Sequence, residues 1–128
     1  MMRDEVVAVI RSWEKAIQQG DIEAILANHT KDILMFDVPE PLQNRGLDAY
    51  RKTWDLFYQY GKPAPDLFVI EDLQVTSGDD VAFATGLLRI GGSQDPVCRL
   101  TLGLKKITGH WLIAHEHHSG PDKSVSSS

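Results

Sequence analysis

Near its C-terminus the chain reads "HEHHS", His115 to Ser119, and three of its five histidines fall inside these five residues. A second stretch, "MFDVPEPLQNRG", sets one carboxylate, Asp37, between Phe36 and Val38. Two kinds of chemistry suit such residues. Metal binding needs several ligands converging on one point, usually with outer partners that orient them. Proton transfer needs a group that titrates near working pH, as imidazole does. A carboxylate at an apolar pocket mouth also qualifies, because burial raises its pKa.

The strand-like run "HWLIAHEHHS" alternates in character. Strict alternation puts Trp111, Ile113, His115, His117 and Ser119 on one face. Leu112, Ala114, Glu116 and His118 then share the other. Trp111 and Ile113 are the bulkier apolar pair, so their face is expected to meet the core. On that reading His115 and His117 look into a pocket, while Glu116 and His118 look outward. A metal would need a third ligand such as His29 or Asp37, and nothing in the sequence demands one, so no metal is assigned. Acid–base work is the second reading of the two histidines, and a polar wall or a hydrogen-bonded structural role is the third. Asp37 has its own plain alternative, a hydrogen bond to its loop before Pro39.

The elements that must position these residues follow from periodicity. Asp4 to Gln19 reads as an amphipathic helix, with Val6, Ile10, Trp13 and Ile17 on one face and Gly20 as its stop. Asp21 caps a short second helix. Ile33 to Val38 reads as a strand, and Pro39 and Pro41 break the pattern after it. A third helix, Leu47 to Tyr60, carries a stripe of Leu47, Tyr50, Trp54, Phe57 and Tyr58. Four strand-like runs follow, separated by the short turns "SGDD", "GGSQDP" and "TG". Connections that short imply antiparallel hairpins. The plan is α+β, helices first and then a strand meander.

Composition narrows the partners. The chain has 128 residues, 42% apolar and 24% charged, with net charge −5, and one domain of this size can bury a real core. The basic residues are scattered, which argues against nucleic acid. A lone cysteine, Cys98, allows no internal disulfide and reads as a small buried hydrophobe. No run is long enough for a membrane span. The N-terminal stretch has acids where a signal peptide needs positive charge, so a cytoplasmic protein is expected. "IGGSQD" is a turn between strands and not a phosphate-cradling loop, so no organic cofactor is expected. Residues 1–121 form the expected single domain, and the Ser-rich stretch 122–128 the expected disordered tail.

"GDIEAI" after a first helix, "FDVPEPLQNRG" before a third, and a meander ending in "GHWLIAHEHHS" together resemble the nuclear transport factor 2-like superfamily, in its SnoaL-like or ketosteroid isomerase-like branch. The resemblance runs from about Asp4 to Pro121. It implies a cystatin-like cone, a curved antiparallel sheet wrapped around three N-terminal helices, with a pocket at the open end. It also implies a homodimer through the outer sheet face. Ketosteroid isomerases carry a base aspartate on the strand before the third helix, a position that Asp37 matches. Their oxyanion-hole tyrosine would fall at Trp13, and their protonated aspartic acid near Thr101 to Gly103, where there is no acid. The expectation is a protein with a pocket for a small apolar or aromatic molecule, in which Asp37 takes a proton next to a carbonyl. His115 and His117 would be donor and orienter, and Trp13, Met35, Trp54, Tyr58 and Arg99 would contact the ligand. Isomerase, cyclase and dehydratase chemistry all fit. The alternative is a non-catalytic ligand-binding or dimeric association module.

Overall fold

The computed structural model describes residues 2–125. Its helices are α1 (Met2–Gln19), α2 (Ile22–Ala27) and α3 (Leu47–Tyr60). Its strands are β1 (His29–Phe36), β2 (Asn44–Arg45), β3 (Phe68–Ser77), β4 (Val81–Ile90), β5 (Cys98–Ile107) and β6 (His110–Ser119). The six strands form one sheet in the order β2-β1-β6-β5-β4-β3.

The helices form where the apolar spacing put them. Val6, Ile10, Trp13 and Ile17 are all fully buried on α1. Gly20 ends that helix at φ 70°, and a Cβ there would sit 2.6 Å from Pro63 Cγ. The Asp21 carboxylate accepts the Ala24 N–H at 3.1 Å and caps α2, which is worth about 1 kcal/mol. Tyr50 and Trp54, one turn apart on α3, are the buried residues of that helix. Trp13 lies edge-on to Phe68 at 5.3 Å and to Trp54 at 6.2 Å, so α1, α3 and the sheet meet at one indole.

The meander β3 to β6 is antiparallel throughout, as the short turns require. β1 adds one parallel pair, against β6. The chain between them contains a helix and four strands, long enough for the return a parallel pair needs. β1 begins at His29, four residues before the expected start, and carries an irregularity between His29 and Leu34. β3 is an edge strand, and α1 covers its inner end. Glu14 Oε2 accepts the Ile70 N–H at 2.6 Å, Arg11 donates to the Ile70 carbonyl, and Gln18 donates to the Phe68 carbonyl. Backbone groups that would otherwise template another strand are thereby paired.

Two bulges bend the sheet. In β3, Asp72 and Leu73 oppose Gly86 alone, and Asp72 sits at φ 52°. In β6, Gly103 pairs with His115 and Leu104 with Ile113, leaving Ala114 as an extra residue. An extra residue breaks the period of two and reverses the faces beyond it. Of the expected tail, residues 122–125 form a turn in which Ser124 donates to the Asp122 carboxylate. Residues 126–128 lie outside the described residues.

Candidate functional site

The bulge at Ala114 decides what faces inward. Trp111 and Ile113 are buried before it, as expected, but beyond it the buried residues are Glu116 and His118. His115 and His117 therefore lie on the outer face, correcting the expectation that they enter the pocket. His115 Nδ1 bonds the Leu34 carbonyl at 2.7 Å, and both rings pack edge-on against Phe36. The division of "HEHH" into two pairs holds, and the faces assigned to them are exchanged.

A cavity of about 340 Å³ opens between α3, the end of β1 and the inner face of the sheet. Its walls are mostly apolar, including Met35, Trp54, Phe57 and Phe68. The polar groups at its surface are few, among them Asp37, Thr53, Cys98, His118 and the Tyr60 hydroxyl. No lysine or arginine lines it. Val38, Pro39 and the exposed Tyr60 form part of its rim.

Asp37 is half-buried at the end of β1, and its Oδ1 also accepts the Val38 N–H at 2.8 Å. β1 and β6 run parallel with Met35 beside Glu116 and Phe36 beside His117. The next residues along each strand are Asp37 and His118. Both face the cavity, on strands whose backbones lie about 5 Å apart.

Behind His118 is a buried polar cluster. His118 Nε2 bonds Glu116 Oε1 at 2.8 Å. The other carboxylate oxygen bonds His29 Nε2 and accepts the Tyr50 hydroxyl at 2.5 Å. The Tyr50 oxygen in turn accepts the Trp13 indole N–H at 3.0 Å. Burial pushes the Glu116 carboxyl up, but the bonds and charges of His118 and His29 outweigh it and bring it down to about 2. Glu116 is thus an anion at neutral pH, unlike a protonated oxyanion-hole acid. Burial first, and the Glu116 charge second, push the Tyr50 phenol well above its usual range. Among the described residues, no three His, Cys, Asp or Glu side chains are placed to hold a metal. In this cluster the Nε2 atoms of both imidazoles are directed at carboxylate oxygens.

The other expected contacts divide. Met35 and Trp54 line the cavity. Trp13 is fully buried behind it, its N–H committed to Tyr50. Tyr58 turns away from the cavity and donates to the Ile17 carbonyl, tying α3 to the end of α1. Burial pushes its phenol up to about 12. Arg99 is exposed on the outer face, opposite Leu87 and Ser119. Cys98 lines the cavity mouth, where burial and then the Asp37 charge push its thiol up. Glu116, His118, Tyr50 and His29 are the polar residues that sequence reasoning did not bring together. The shared strand face of Glu116 and His118 was the available signal.

Residues 6–123 match the SnoaL-like domain family. The chain belongs to that family. Among solved structures it is similar to a nuclear transport factor 2-like protein of unknown function from Pseudomonas putida KT2440. The two are 31% identical over 94% of this chain and 88% of that one, with a TM-score of 0.83. A candidate dehydratase of the same fold from Streptomyces avermitilis aligns at TM-score 0.76 and 16% identity, over 94% of this chain and 96% of that one. A candidate ketosteroid isomerase from Parabacteroides distasonis ATCC 8503 aligns at TM-score 0.75 and 17% identity, over 98% and 92%. The last two likenesses are of fold alone. Curated protein sequences give no match. Among the described residues no helix is long and apolar enough to cross a membrane.

Proposed function

We propose that this SnoaL-like protein is an enzyme that moves a proton at a carbon next to a carbonyl, on a small apolar or aromatic ligand, with Asp37 as the base. The observation that carries this reading is the position of Asp37 in the wall of an apolar, aromatic cavity. Few polar groups converging on such a cavity are the mark of a ligand site. A carboxylate there can take a carbon-bound proton without a cofactor. The candidate isomerase and dehydratase of the same fold support the class of chemistry and name no substrate.

The second reading, a non-catalytic module, is favoured by one observation: Asp37 already accepts the Val38 N–H, as a loop-stabilising residue would. It retains a second oxygen for the cavity. The homodimer through the outer sheet face belongs to either reading. It is supported by the exposed Val81, Phe83, Leu87 and Ile107 on β4 and β5, a run of apolar side chains that water covers poorly.

The test uses 2-tetralone, a flat aromatic ketone with acidic protons beside its carbonyl. Its exchange in D₂O is followed by proton NMR, with wild-type protein and with Asp37→Asn. Exchange accelerated by the wild type and cut about 100-fold or more in the variant is expected, since a positioned base contributes roughly that much. Equal rates for wild type, variant and buffer would sink the catalytic reading and leave the module.

A further inference from the structure

Proton abstraction next to a carbonyl also needs something to meet the charge that develops on oxygen. The residues at the family's tyrosine and acid positions do not provide it: Trp13 is sealed behind the cavity and β5 has no acid. We propose, resting on the proton-transfer reading, that His118 is the proton donor to the ligand's carbonyl oxygen and that Glu116 is the residue positioning it.

Three observations carry this. First, His118 and Asp37 each follow the last pair of the parallel strands β1 and β6, Phe36 with His117, and both line the same cavity. No ion pair joins them among the described residues. Second, Glu116 fixes the ring: its Oε1 accepts from Nε2, so that nitrogen keeps its proton, donated to the carboxylate. Nδ1 is then the atom that gains and loses a proton. It has no protein partner, and it is not among the polar atoms sealed from solvent. Third, Glu116 cannot drift, because His29 and Tyr50 hold its other oxygen and Trp13 holds Tyr50. A carboxylate behind an imidazole both orients the ring and stabilises its protonated form.

The step balances. An Asp37 oxygen takes the proton from the carbon beside the carbonyl. The C–H electron pair becomes the new C=C bond, and the carbonyl π pair moves to oxygen. That oxygen takes the Nδ1 proton from His118, leaving an enol, a neutral imidazole and a protonated Asp37. Reversal at another carbon gives an isomer. The charged and titratable groups around His118 are Glu116 on its own strand, which bonds it; His29 on β1 and Tyr50 on α3, which bond Glu116; and Asp37 just beyond β1, Tyr60 at the end of α3 and Cys98 on β5, which line the same cavity.

The test pairs the 2-tetralone exchange with nitrogen NMR of the imidazoles. His118→Gln is the chosen variant, because its amide can still donate to Glu116 while offering no titrating atom to the cavity. The neutral wild-type His118 ring is expected to carry its proton on Nε2. His118→Gln is expected to fold and to slow exchange 10- to 100-fold. Glu116→Gln is expected to mix the two tautomers and shift the pH–rate profile, a change that a purely structural loss would not cause. A His118 ring found protonated on Nδ1 alone when neutral overturns the assignment. So does a folded His118→Gln protein that exchanges at the wild-type rate while Asp37→Asn does not; that result leaves the Asp37 reading standing. Wild-type protein with no exchange above buffer overturns both.

Discussion

His118 and Glu116 are joined Nε2 to Oε1 at 2.8 Å on the inner face of β6, although they stand two residues apart on the face opposite Trp111 and Ile113 by simple alternation. The extra residue Ala114 makes this possible. Before it the strand turns its bulk to the core, and after it the strand turns its acid and histidine to the core. The bulge therefore delivers polar groups to an interior that the first half of the strand fills with hydrocarbon. Deleting Ala114 removes the extra residue: Trp111, Ile113, Glu116 and His118 then share one face by simple alternation, and the pairs Leu104–Ile113 and Gly103–His115 become consecutive, so the inward facing of Glu116 and His118 is expected to survive. The cluster around Tyr50 and His29 should then keep its anion, and the deletion should cost about 0.5–3 kcal/mol, as most single changes do. Circular dichroism of the deletion protein checks this; loss of the cooperative melt would show that Ala114 is not simply an extra residue between two correctly faced halves.

Acid should unfold the protein through Glu116. Its folded-state pKa is lowered to about 2, whereas a free carboxyl of this type titrates near 4.5. A depressed carboxylate contributes stability that is present above the unfolded value and lost as pH falls through the folded one. The loss should thus fall between about 4.5 and about 2. Denaturant midpoints measured across that range should drop steeply for wild type and less for Glu116→Gln. Parallel pH curves would show that Glu116 is not the group responsible.

The helices, the strand meander, the family and the membership of Met35, Trp54 and Asp37 in the cavity wall were all legible in the chain. They rest on spacing over many residues, where one irregularity changes little. The facing of His115, His117, Glu116 and His118 rests on a strict count of two, which a single inserted residue inverts. Nothing in "LIAHEHHS" marks Ala114 as that residue; it is defined by its pairing with Gly103 and Leu104 on β5. Arg99 shows the limit from the other side. Its strand keeps strict alternation, with Leu100, Leu102 and Leu104 buried, so its outward position follows once those leucines are taken as the core. Tyr58 could not be placed from the helix stripe alone, since α3 divides its aromatic residues between the cavity and α1.

Tyr50→Phe should cost about 1–3 kcal/mol, because it removes the donor to Glu116 and leaves the Trp13 N–H without its acceptor in a sealed site. A Trp13→Phe change in the same background should then cost less than it does in wild type, since the two residues share one hydrogen bond. Urea melts of the two single variants and the double variant measure the interaction. Strict additivity would separate Trp13 from the cluster.

Phenol ionisation should weaken the protein in base. The Tyr58 hydroxyl, held by the Ile17 carbonyl, has its pKa pushed up to about 12. A raised value contributes stability that is fully present below the unfolded pKa near 10 and lost as pH rises toward the folded one. Melting temperatures should therefore fall between pH 10 and 12, and Tyr58→Phe should reduce that fall. Identical alkaline curves for the two proteins would contradict the assignment.

Asp37→Asn separates the two roles of that side chain. The amide oxygen can still accept the Val38 N–H, so the loop bond survives. Stability should stay within about 0.5 kcal/mol of wild type, in the range of a substitution that breaks no buried contact. Asp37→Ala removes the acceptor and should cost about 1 kcal/mol, as the loss of a local side-chain cap does. Exchange of 2-tetralone should be lost in both. A protein in which Asp37→Asn keeps full exchange while Asp37→Ala loses stability would make Asp37 a loop residue and move the search for the base elsewhere in the cavity.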